Sequence, residues 1–538
     1  MTPVLSVRGL SVGFDTSQGP VQALDDISLD LAAGETVAVV GESGSGKSTL
    51  ASCVNRLLAD NGRITAGTIM LGDQDITRAP ESTMTAIRGR RIGLVPQDPM
   101  TNLNPVMTVG AQITEALEVH GLASGRAARE RAVDLLGQAG IDRPGARFRQ
   151  YPHEFSGGMR QRVLIAMALA CRPEVLLADE PTSALDVTVQ RRVLDQMTAL
   201  AADLGTAVLL ITHDLALAAE RADRVIVMHR GRVVESGDAA TLIAAPQHDY
   251  TQRLLAAAPA MSEVKVSAPV TASTTGKTET LLEVTGAVRR YRIRGQREHL
   301  HAVDGIDLTI PKGRTVAIVG ESGSGKSTAA RLALRLERAD AGTVRYRGTD
   351  LAGLRGKDLL AYRRAIQPVF QNPYASLNPR YTIAQVIDEP LRVHRIGDAA
   401  TRRKTVADLL ERVALPAAYA SRRPHELSGG QRQRVAIARA LALDPELVVM
   451  DEAVSALDVL VQEQILELMV TLQREQDLSY LFISHDLAVV HLVAHHVYVM
   501  QSGKIVEDGD PATVFTSPQH PYTQQLVAAV PRPREQAS

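Results

Sequence analysis

A nine-residue stretch that occurs twice constrains this chain more than any other feature. Residues 41–49 and 320–328 have the same sequence, Gly-Glu-Ser-Gly-Ser-Gly-Lys-Ser-Thr. A short β-branched run precedes each copy, and helical spacing follows over 50–58 and 329–336. A glycine-rich turn between a buried strand and a helix lets backbone N–H groups converge on phosphate oxygens. The chain is therefore predicted to contain two α/β domains, each with a phosphate loop.

Each phosphate loop supplies side chains as well as backbone donors. Lys47 and Lys326 are predicted to bridge the outer phosphates of ATP, and Ser48 and Ser327 to place a hydroxyl on Mg²⁺. The alternative, a chance glycine-rich turn, is disfavoured because the motif recurs between the same two elements. The candidate nucleotide-binding residues of the loops are Gly41, Ser43, Gly44, Gly46, Lys47, Ser48, Thr49, Gly320, Ser322, Gly323, Gly325, Lys326, Ser327 and Thr328.

The two loops belong to a longer internal repeat. The further corresponding pairs are Gln97 and Gln371, Ser156 and Ser428, Glu180 and Glu452, His213 and His485, and Tyr250 and Tyr522. From Ser156 and Ser428 onward the spacing is constant, so the halves differ in length only before these serines. We therefore predict tandem domains at 1–258 and 281–538. The segment 259–280 is rich in Ser, Thr, Ala and Pro and is predicted to be a flexible linker.

Hydrophobic patterning predicts the same order of elements in each half. Alternating segments at the start, 4–10 with 21–31 and 281–284 with 301–310, predict an antiparallel sheet. The β-branched runs 36–40 and 315–319 predict buried strands of a mainly parallel core sheet. A helical insert is expected after each glutamine, with helices at 127–139 and 401–413. Core strands resume at 175–178, 207–211, 447–450 and 480–483.

Composition excludes several classes of protein. At 538 residues the chain is too long for one core. A net charge of −1, 3% aromatic residues and no Trp argue against a nucleic-acid partner. The two cysteines, Cys53 and Cys171, are expected to be small buried side chains and fit a reducing cytosol. No window is apolar enough to span a membrane, and the N-terminus lacks a signal-peptide profile, so a soluble chain without a direct lipid span is expected.

Two carboxylates end a core strand in each half, as Asp179-Glu180 and Asp451-Glu452. Neighbouring side chains at a strand end point to different sides, so the two can have different roles. The aspartates are predicted to hold Mg²⁺, and the glutamates to orient and polarise the attacking water. A solvated strand terminus is the alternative, and the recurrence after a phosphate loop disfavours it.

His213 and His485 close the next core strand in each half. An imidazole at this position can hydrogen-bond the γ-phosphate and respond to its loss. Taken singly, either residue equally fits a helix cap or a core histidine. Their order in the chain favours the catalytic role.

A Ser-Gly-Gly turn precedes a long helical pattern in each half and predicts a second anion site. The candidate residues are Ser156, Gly157, Gly158, Ser428, Gly429 and Gly430. An ordinary helix N-cap followed by two glycines is the alternative. One domain has no evident use for two separate phosphate sites, which leaves the purpose of the turn open at this point.

The complete set of motifs, including 183–186, resembles the nucleotide-binding domains of ATP-binding cassette (ABC) proteins over nearly the whole chain. The resemblance implies that two domains pack head to tail, so that Lys47 shares a nucleotide with Ser428, and Lys326 with Ser156. It places Phe14 and Tyr291 against adenine. It also implies that Gln97 and Gln371 reach Mg²⁺ and couple the core to the helical insert.

The segments 97–105, 155–162, 371–380, 246–251 and 518–523 are similar to the ATPase subunits of oligopeptide and dipeptide importers. Nickel and glutathione importers share these features. Phe155 and Met159 replace the Leu and Gln of the commonest signature, so the site that uses Lys326 is expected to turn over differently. Ala453 stands where Pro is usual, which leaves that loop less restricted. A C-terminal cysteine cluster of some relatives is missing from the sequence, so no iron–sulfur centre is expected.

The resemblance implies the fused ATPase subunit of a peptide-class ABC importer, with ATP and Mg²⁺ as cofactors. Its expected partners are two transmembrane permease subunits and, indirectly, an extracytoplasmic solute-binding protein. Its expected place is the cytoplasmic face of the cell membrane. A soluble tandem ABC translation factor is the alternative from another class, although 259–280 is short and poor in charge for its linker. Sugar, nickel-chelate or glutathione import remains an alternative within the transporter class.

Overall fold

The computed structural model describes residues 3–16, 19–99, 101–182, 185–258, 279–292, 299–371, 376–454 and 457–531. These residues divide into two compact units, one within Met1–Met261 and the other within Ser262–Val530. Most of the predicted linker, 259–278, lies outside the described residues, as do 183–184 and 372–375 of two quoted motifs. Thr280, assigned to the linker from sequence, instead begins a strand.

The first unit is built around a six-stranded sheet. Its strands, in spatial order, are Arg232–Asp238, Arg224–His229, Thr36–Val40, Ala207–Thr212, Val175–Asp179 and Ile92–Val95. All neighbours are parallel except the first pair, which is antiparallel. The mainly parallel core sheet predicted from the β-branched runs is therefore present.

The second unit repeats this topology. Its core strands, in the same spatial order, are Lys504–Gly509, His496–Gln501, Thr315–Val319, Ser479–Ser484, Leu447–Asp451 and Ile366–Val369. Only the first pair is antiparallel. Both faces of this sheet are covered, because Val316 and Ile318 pack into one core cluster whereas Ala317 and Val319 pack into the other. Burial on both faces explains why these strands are continuously apolar.

A separate antiparallel sheet of four strands begins each unit, as the alternating segments predicted. In the first unit its strands are Gly19–Leu31, Leu5–Thr16, Gly62–Leu71 and Gln74–Asp75. In the second unit they are His299–Pro311, Thr280–Arg292, Ala341–Tyr346 and Thr349–Asp350. Both sheets pack through their apolar face against the core sheet of the same unit.

Helices surround both sheets of each unit. The first unit contains Lys47–Val54, Glu81–Ile87, Val109–Val119, Gly125–Gln138, Pro144–Arg147, Gly157–Leu169, Val187–Leu204, Leu215–Arg221, Ala239–Ala244 and Asp249–Ala257, with a 3₁₀ turn at Pro152–Glu154. The second contains Lys326–Ala333, Gly356–Ala365, Ile383–Val393, Ala399–Arg412, Gly429–Leu441, Val459–Gln476, Leu487–Val493, Pro511–Thr516 and Pro521–Ala529, with 3₁₀ turns at Leu351–Gly353, Ala417–Ser421 and Pro424–Glu426.

The helix after each phosphate loop lies earlier in the chain than its apolar spacing predicted. It begins at Lys47 and Lys326, because the last loop glycine serves as the N-cap. It ends before Arg56 and Arg335, whose backbones are left-handed with φ of 53° and 56°. A left-handed residue cannot continue an α-helix, so the predicted ends at 58 and 336 were wrong. The loop lysines and serines consequently lie in the first helical turn.

Candidate functional site

The candidate site lies at one edge of each core sheet. The strands Thr36–Val40, Ala207–Thr212, Val175–Asp179 and Ile92–Val95 are consecutive neighbours in the first unit. Their carboxyl ends lead into the phosphate loop, His213, Glu180 and Gln97, respectively. The carboxyl edge of an open parallel sheet is where ligands bind in such folds. The fold thus brings together four motifs that are far apart in the sequence.

The phosphate loop is held in one conformation by close packing of its glycines. A Cβ on Gly46 would lie 2.5 Å from Leu24 Cδ2, and φ of this residue is +104°. Gly44 also has positive φ, +80°, but nothing lies within 4 Å of its Cβ position. The loop therefore packs tightly on its inner side and leaves an open concave side. Because helix Lys47–Val54 begins directly after it, the loop forms a backbone cradle that fits an anionic phosphate.

The loop lysine is buried and bonded to the loop itself. Lys47 Nζ donates to the carbonyl oxygens of Gly41 at 2.6 Å and Glu42 at 2.8 Å. Lys326 Nζ makes the same two bonds, at 2.7 Å to Gly320 and 2.8 Å to Glu321. Each ammonium is thereby fixed beside the cradle rather than extended into solvent.

A hydroxyl and a carboxylate meet beside each loop. Ser48 Oγ lies 3.2 Å from Asp179 Oδ1, and Ser327 Oγ lies 3.1 Å from Asp451 Oδ1. Burial raises the pKa of both aspartates above the usual range, against the hydrogen bonds from the serines. Hydroxyl and carboxylate oxygens are the ligands that a hard divalent cation prefers, so this donor pair fits Mg²⁺.

Glu180 is held at the strand end by three groups. Its backbone N–H donates to Ile211 O at 2.9 Å, and its carboxylate accepts from Gln97 Nε2 at 2.8 Å. His213 Nδ1 lies 3.3 Å from the other carboxylate oxygen. The amide nitrogen of Gln97 therefore faces the glutamate. The structure brings together Lys47, Ser48, the carboxylate pair, the glutamine and the histidine.

The same arrangement occurs in the second unit. Glu452 N donates to Ile483 O at 3.0 Å, and the carboxylate accepts from Gln371 Nε2 at 2.6 Å. His485 Nδ1 lies 3.6 Å from Glu452 Oε2. Burial would lower the pKa of His485, but the hydrogen bond and charge of Glu452, with the charge of Asp486, raise it above the usual value.

The two neighbouring carboxylates have opposite pKa shifts. Burial opposes ionisation of Glu180, but the hydrogen bond and charge of His213 and the charge of Lys47 outweigh it and lower its pKa. Glu452 is shifted in the same direction by His485 and Lys326. The glutamates are therefore ionised at neutral pH and able to accept a proton, whereas the aspartates are shifted the other way.

The Ser-Gly-Gly turns begin helices Gly157–Leu169 and Gly429–Leu441. Ser428 Oγ accepts from Gln431 N at 3.3 Å, and Gln431 Oε1 accepts from Ser428 N at 3.1 Å, which forms a capping box. Ser156 Oγ accepts from Met159 N at 3.4 Å, but a thioether cannot return the bond. Met159, which replaces the usual Gln, therefore weakens the start of helix Gly157–Leu169. We call Ser156 and Ser428 the signature serines. In the described part of each unit, no hydrogen bond or ion pair joins the signature serine to the phosphate loop or the carboxylates.

The second glycine of each turn has a packing role. A Cβ on Gly158 would lie 2.3 Å from Val189 Cγ1, and a Cβ on Gly430 would lie 2.3 Å from Val461 Cγ1. The first glycine is different, since nothing lies within 4 Å of the Cβ position of Gly429. The other signature departure, Phe155, is buried in the core as Leu427 is.

The two aromatic candidates for adenine stacking have different surroundings. The Phe14 ring lies against Gly62 of the adjacent strand, where a Cβ would be 2.6 Å from the ring. The Tyr291 hydroxyl donates to Glu337, and the Arg289 guanidinium lies 5.0 Å from the ring centroid. Both rings are partly exposed at the antiparallel sheet, and their assignment to adenine stays a prediction.

Two tyrosines contact the phosphate loops, and the sequence does not predict this contact. The hydroxyl of Tyr250 accepts a hydrogen bond from Glu42 N at 3.1 Å, and that of Tyr522 from Glu321 N at 2.8 Å. The sequence shows both tyrosines only as a repeated pair within 246–251 and 518–523, the closing segments of the two units. Their contact with the loop joins residues 208 positions apart in the first unit, so no local pattern indicates it.

Comparison with known families agrees with this geometry. The sequence profile described as ABC transporter matches residues 24–183 and 303–455. The profile described as the C-terminal region of oligopeptide/dipeptide transporters matches residues 234–283 and 506–538. The chain belongs to the ABC transporter family. Each unit contains one of the two ABC transporter matches.

Curated relatives extend this match over almost the whole chain. The glutathione import ATP-binding protein GsiA of Salmonella choleraesuis strain SC-B67 is 45% identical, over 98% of this chain and 89% of that protein. The protein of the same name from Escherichia coli strain K12 gives the same three values, 45%, 98% and 89%. A solved structure, the ADP- and phosphate-bound dimer of the cassette MJ0796, is 29% identical with a TM-score of 0.40 and covers 43% of this chain and 99% of that chain.

Membership settles the general function. The chain is an ATP-binding subunit of an ABC importer in the oligopeptide and dipeptide subfamily, and its activity is ATP hydrolysis coupled to transport. Such a subunit acts with a membrane permease. In the part of the chain that the structure describes, no helix combines the length and apolar character that crossing a membrane requires. The translation-factor alternative receives no support from these matches.

Proposed function

We propose that this chain energises the uptake of di- and oligopeptides through two transmembrane permease subunits, at the cytoplasmic face of the membrane. An extracytoplasmic binding protein would deliver the solute to the permease. The observation that carries the proposal is the complete set of catalytic groups in both units, followed in each by the closing segment matched to oligopeptide and dipeptide transporters.

Glutathione is the second candidate for the solute. Two relatives that match 98% of this chain are named glutathione import ATP-binding proteins. Glutathione is itself a tripeptide, so both candidates belong to the peptide class. The ATP-binding subunit does not contact the solute, and a transport assay therefore has to decide between them.

Each site contains the groups that ATP hydrolysis requires. The loop N–H groups and Lys47 would bind the triphosphate, and Ser48 with Asp179 would hold Mg²⁺, which neutralises phosphate charge when bound. Glu180 would accept a proton from the attacking water, since its lowered pKa keeps it ionised. His213 and Gln97 would hold that carboxylate in place. The second unit offers the same set, so we propose two competent sites.

The signature turns are proposed to act on the nucleotide of the other unit, Ser428 with Lys47 and Ser156 with Lys326. In support, each signature serine is bonded only within its own helix start in the described residues. Photo-crosslinking of ATP tests the pairing. Ser428→Arg should reduce labelling of the Lys47 loop, and Ser156→Arg that of the Lys326 loop. The reverse pattern would contradict it.

A groove beside Gln371 is proposed to receive the permease. It has a volume of about 670 Å³ and is lined by Leu336, Phe370, Val393 and Glu389, among others. The three apolar side chains Leu336, Phe370 and Val393 are exposed. In the first unit, the equivalents of Leu336 and Val393 are Leu57 and Val119, and both are exposed as well. Exposed apolar groups next to a glutamine that touches the catalytic glutamate could transmit closure to a partner.

Reconstitution of the transporter tests the proposal. The chain, the permease and the binding protein would be placed in proteoliposomes with ATP inside and a labelled dipeptide, pentapeptide or glutathione outside. We expect ATP-dependent uptake of a peptide, lost in a Glu180→Gln, Glu452→Gln double variant. Uptake of glutathione alone would support the second candidate. Uptake of a sugar but of no peptide would contradict both.

A further inference from the structure

A buried tyrosine supports the phosphate loop in each unit. Tyr250 is 1% exposed and Tyr522 is 4% exposed. Each hydroxyl accepts the N–H of the second loop residue, Glu42 or Glu321. That N–H belongs to the same planar peptide group as the carbonyl of Gly41 or Gly320, which accepts from the loop lysine at 2.6 Å or 2.7 Å. The tyrosine and the lysine therefore bind opposite sides of one peptide group.

The segment that carries the tyrosine is itself fixed by a carboxylate. Glu235 accepts the N–H groups of Gln247 at 2.8 Å and His248 at 3.1 Å. His248 Nδ1 then accepts Tyr250 N at 3.1 Å and caps helix Asp249–Ala257. The closing segment is thus held at its start before the tyrosine enters the core.

The second unit builds the same support from equivalent residues. Glu507 accepts the N–H groups of Gln519 at 2.8 Å and His520 at 3.0 Å. His520 Nδ1 accepts Tyr522 N at 3.2 Å and caps helix Pro521–Ala529. Two independent copies of one arrangement indicate that the tyrosine has a common task in both units.

We propose that Tyr250 and Tyr522 are positioning residues for ATP binding, and that the closing segment serves to place them. Each tyrosine holds the peptide group whose carbonyl accepts a hydrogen bond from the loop lysine. It thereby fixes the position of the lysine ammonium beside the phosphate cradle. Without this bond the peptide can rotate, and the lysine loses a defined acceptor. The inference depends on the loops being the nucleotide sites and is independent of the transported solute.

Two neighbours of the Tyr250 ring are replaced by other residue types in the second unit. The Tyr250 ring stacks on His229 with centroids 4.1 Å apart, and Arg253 lies 6.0 Å from its centroid. The equivalent residues of the second unit are Gln501 and Gln525, which carry no ring or charge.

Conservative variants test the role of the hydroxyl. Tyr250→Phe and Tyr522→Phe keep the ring and remove the hydroxyl that accepts the loop N–H. Tyr498→Phe is a matched control, because its hydroxyl also accepts a backbone N–H, that of Thr309 at 3.1 Å, but away from the loop. Glu507→Gln is a second variant that weakens the support of the segment while leaving Tyr522 intact.

Two measurements are needed. In nucleotide-free protein, hydrogen exchange of the Glu42 or Glu321 amide should accelerate about 3- to 10-fold in the corresponding variant, the range expected when one hydrogen bond is lost. KM for ATP should rise by a similar factor with a smaller change in kcat. Tyr498→Phe should change neither quantity, and Glu507→Gln should shift both in the same direction as Tyr522→Phe.

The outcomes separate this inference from the assignment of the site. If Tyr522→Phe matches Tyr498→Phe in both measurements, the positioning role is wrong. Faster exchange with an unchanged KM would also overturn it, because the loop would then loosen without affecting ATP. Failure of the wild-type chain to bind ATP would instead contradict the site itself, since the exchange measurement needs no nucleotide.

Discussion

Glu180 and Glu452 adopt a backbone conformation that non-glycine residues avoid. Their φ angles are +46° and +48°, in the left-handed region. Such a conformation costs about 1–3 kcal/mol and persists only where surrounding contacts impose it. Here the backbone N–H is bonded to the adjacent strand and the carboxylate to a glutamine and a histidine. The strain is thus located at the group assigned to accept the proton, and the Asp-Glu pattern alone did not reveal it.

Replacement of either glutamate should separate ATP binding from hydrolysis. Glu180→Gln and Glu452→Gln keep the side-chain shape but remove the proton acceptor, so each should lower turnover roughly tenfold or more. ATP binding should persist because the loop and its lysine are unchanged. Phosphate release and nucleotide-binding assays measure the two effects. Glu446→Gln is the control, since this glutamate precedes the same strand and pairs with Arg347 at 3.0 Å. Full activity in Glu452→Gln would remove that residue from catalysis.

His495 should make the second unit less stable in acid. Its Nδ1 accepts Thr315 N at 3.0 Å, and burial with the charge of Arg314 lowers its pKa to about 4. An unfolded histidine titrates near pH 6.5, so the unfolded chain binds the proton first and stability falls as pH drops from about 6.5 towards 4. The loss should be on the order of 3 kcal/mol at full titration.

Thermal unfolding between pH 7 and pH 4.5 measures this dependence. His495→Gln retains an acceptor for Thr315 N but cannot titrate, so its transition should vary less with pH than that of the wild type. His299→Gln replaces an exposed histidine and should behave as the wild type. Equal pH dependence in all three proteins would show that His495 does not control it.

At the scale of elements, the strand patterns were more informative than the helix ends. The runs 36–40 and 315–319 match strands Thr36–Val40 and Thr315–Val319, because burial on both faces makes every residue apolar. The helix after each loop was displaced because its first turn contains Lys, Ser and Thr, which carry no apolar periodicity. Its start is instead set by the last loop glycine, and its end by a left-handed arginine.

Helix packing at the signature turn depends on one glycine in each unit. Gly430→Ala would place a Cβ 2.3 Å from Val461 Cγ1, so we expect a loss of about 1–3 kcal/mol in the free energy of unfolding. Gly429→Ala introduces the same methyl into open space within a helix and should be neutral or stabilising. Denaturant titration compares them. Val461→Ala should restore part of the stability of Gly430→Ala, and no restoration would show that another contact is responsible.

At the scale of the whole molecule, the duplication carried most of the predictable information. Each proposed catalytic group follows a core strand, so its place at the carboxyl edge could be inferred from the order of the motifs alone. The support of the loop by Tyr250 could not, because it depends on a contact across 208 positions. The exposed apolar residues beside the glutamines could not be predicted either. They form a continuous surface only when the helical insert packs on the core sheet.

Docking of the permease should depend on the two most exposed of these positions. Val119 and Val393, 69% and 62% exposed, end equivalent helices of the two inserts. Val119→Lys with Val393→Lys should leave basal ATP hydrolysis unchanged, because both side chains are largely exposed at the ends of insert helices. Affinity for the permease should fall tenfold or more, since burying a lysine in an apolar contact is unfavourable. Co-purification and permease-stimulated ATPase activity measure the effect.

Leu300→Lys, at a residue 54% exposed on the antiparallel sheet, is the matched control and should bind the permease normally. Unchanged binding in the double variant, or equal loss in the control, would place the permease on another surface.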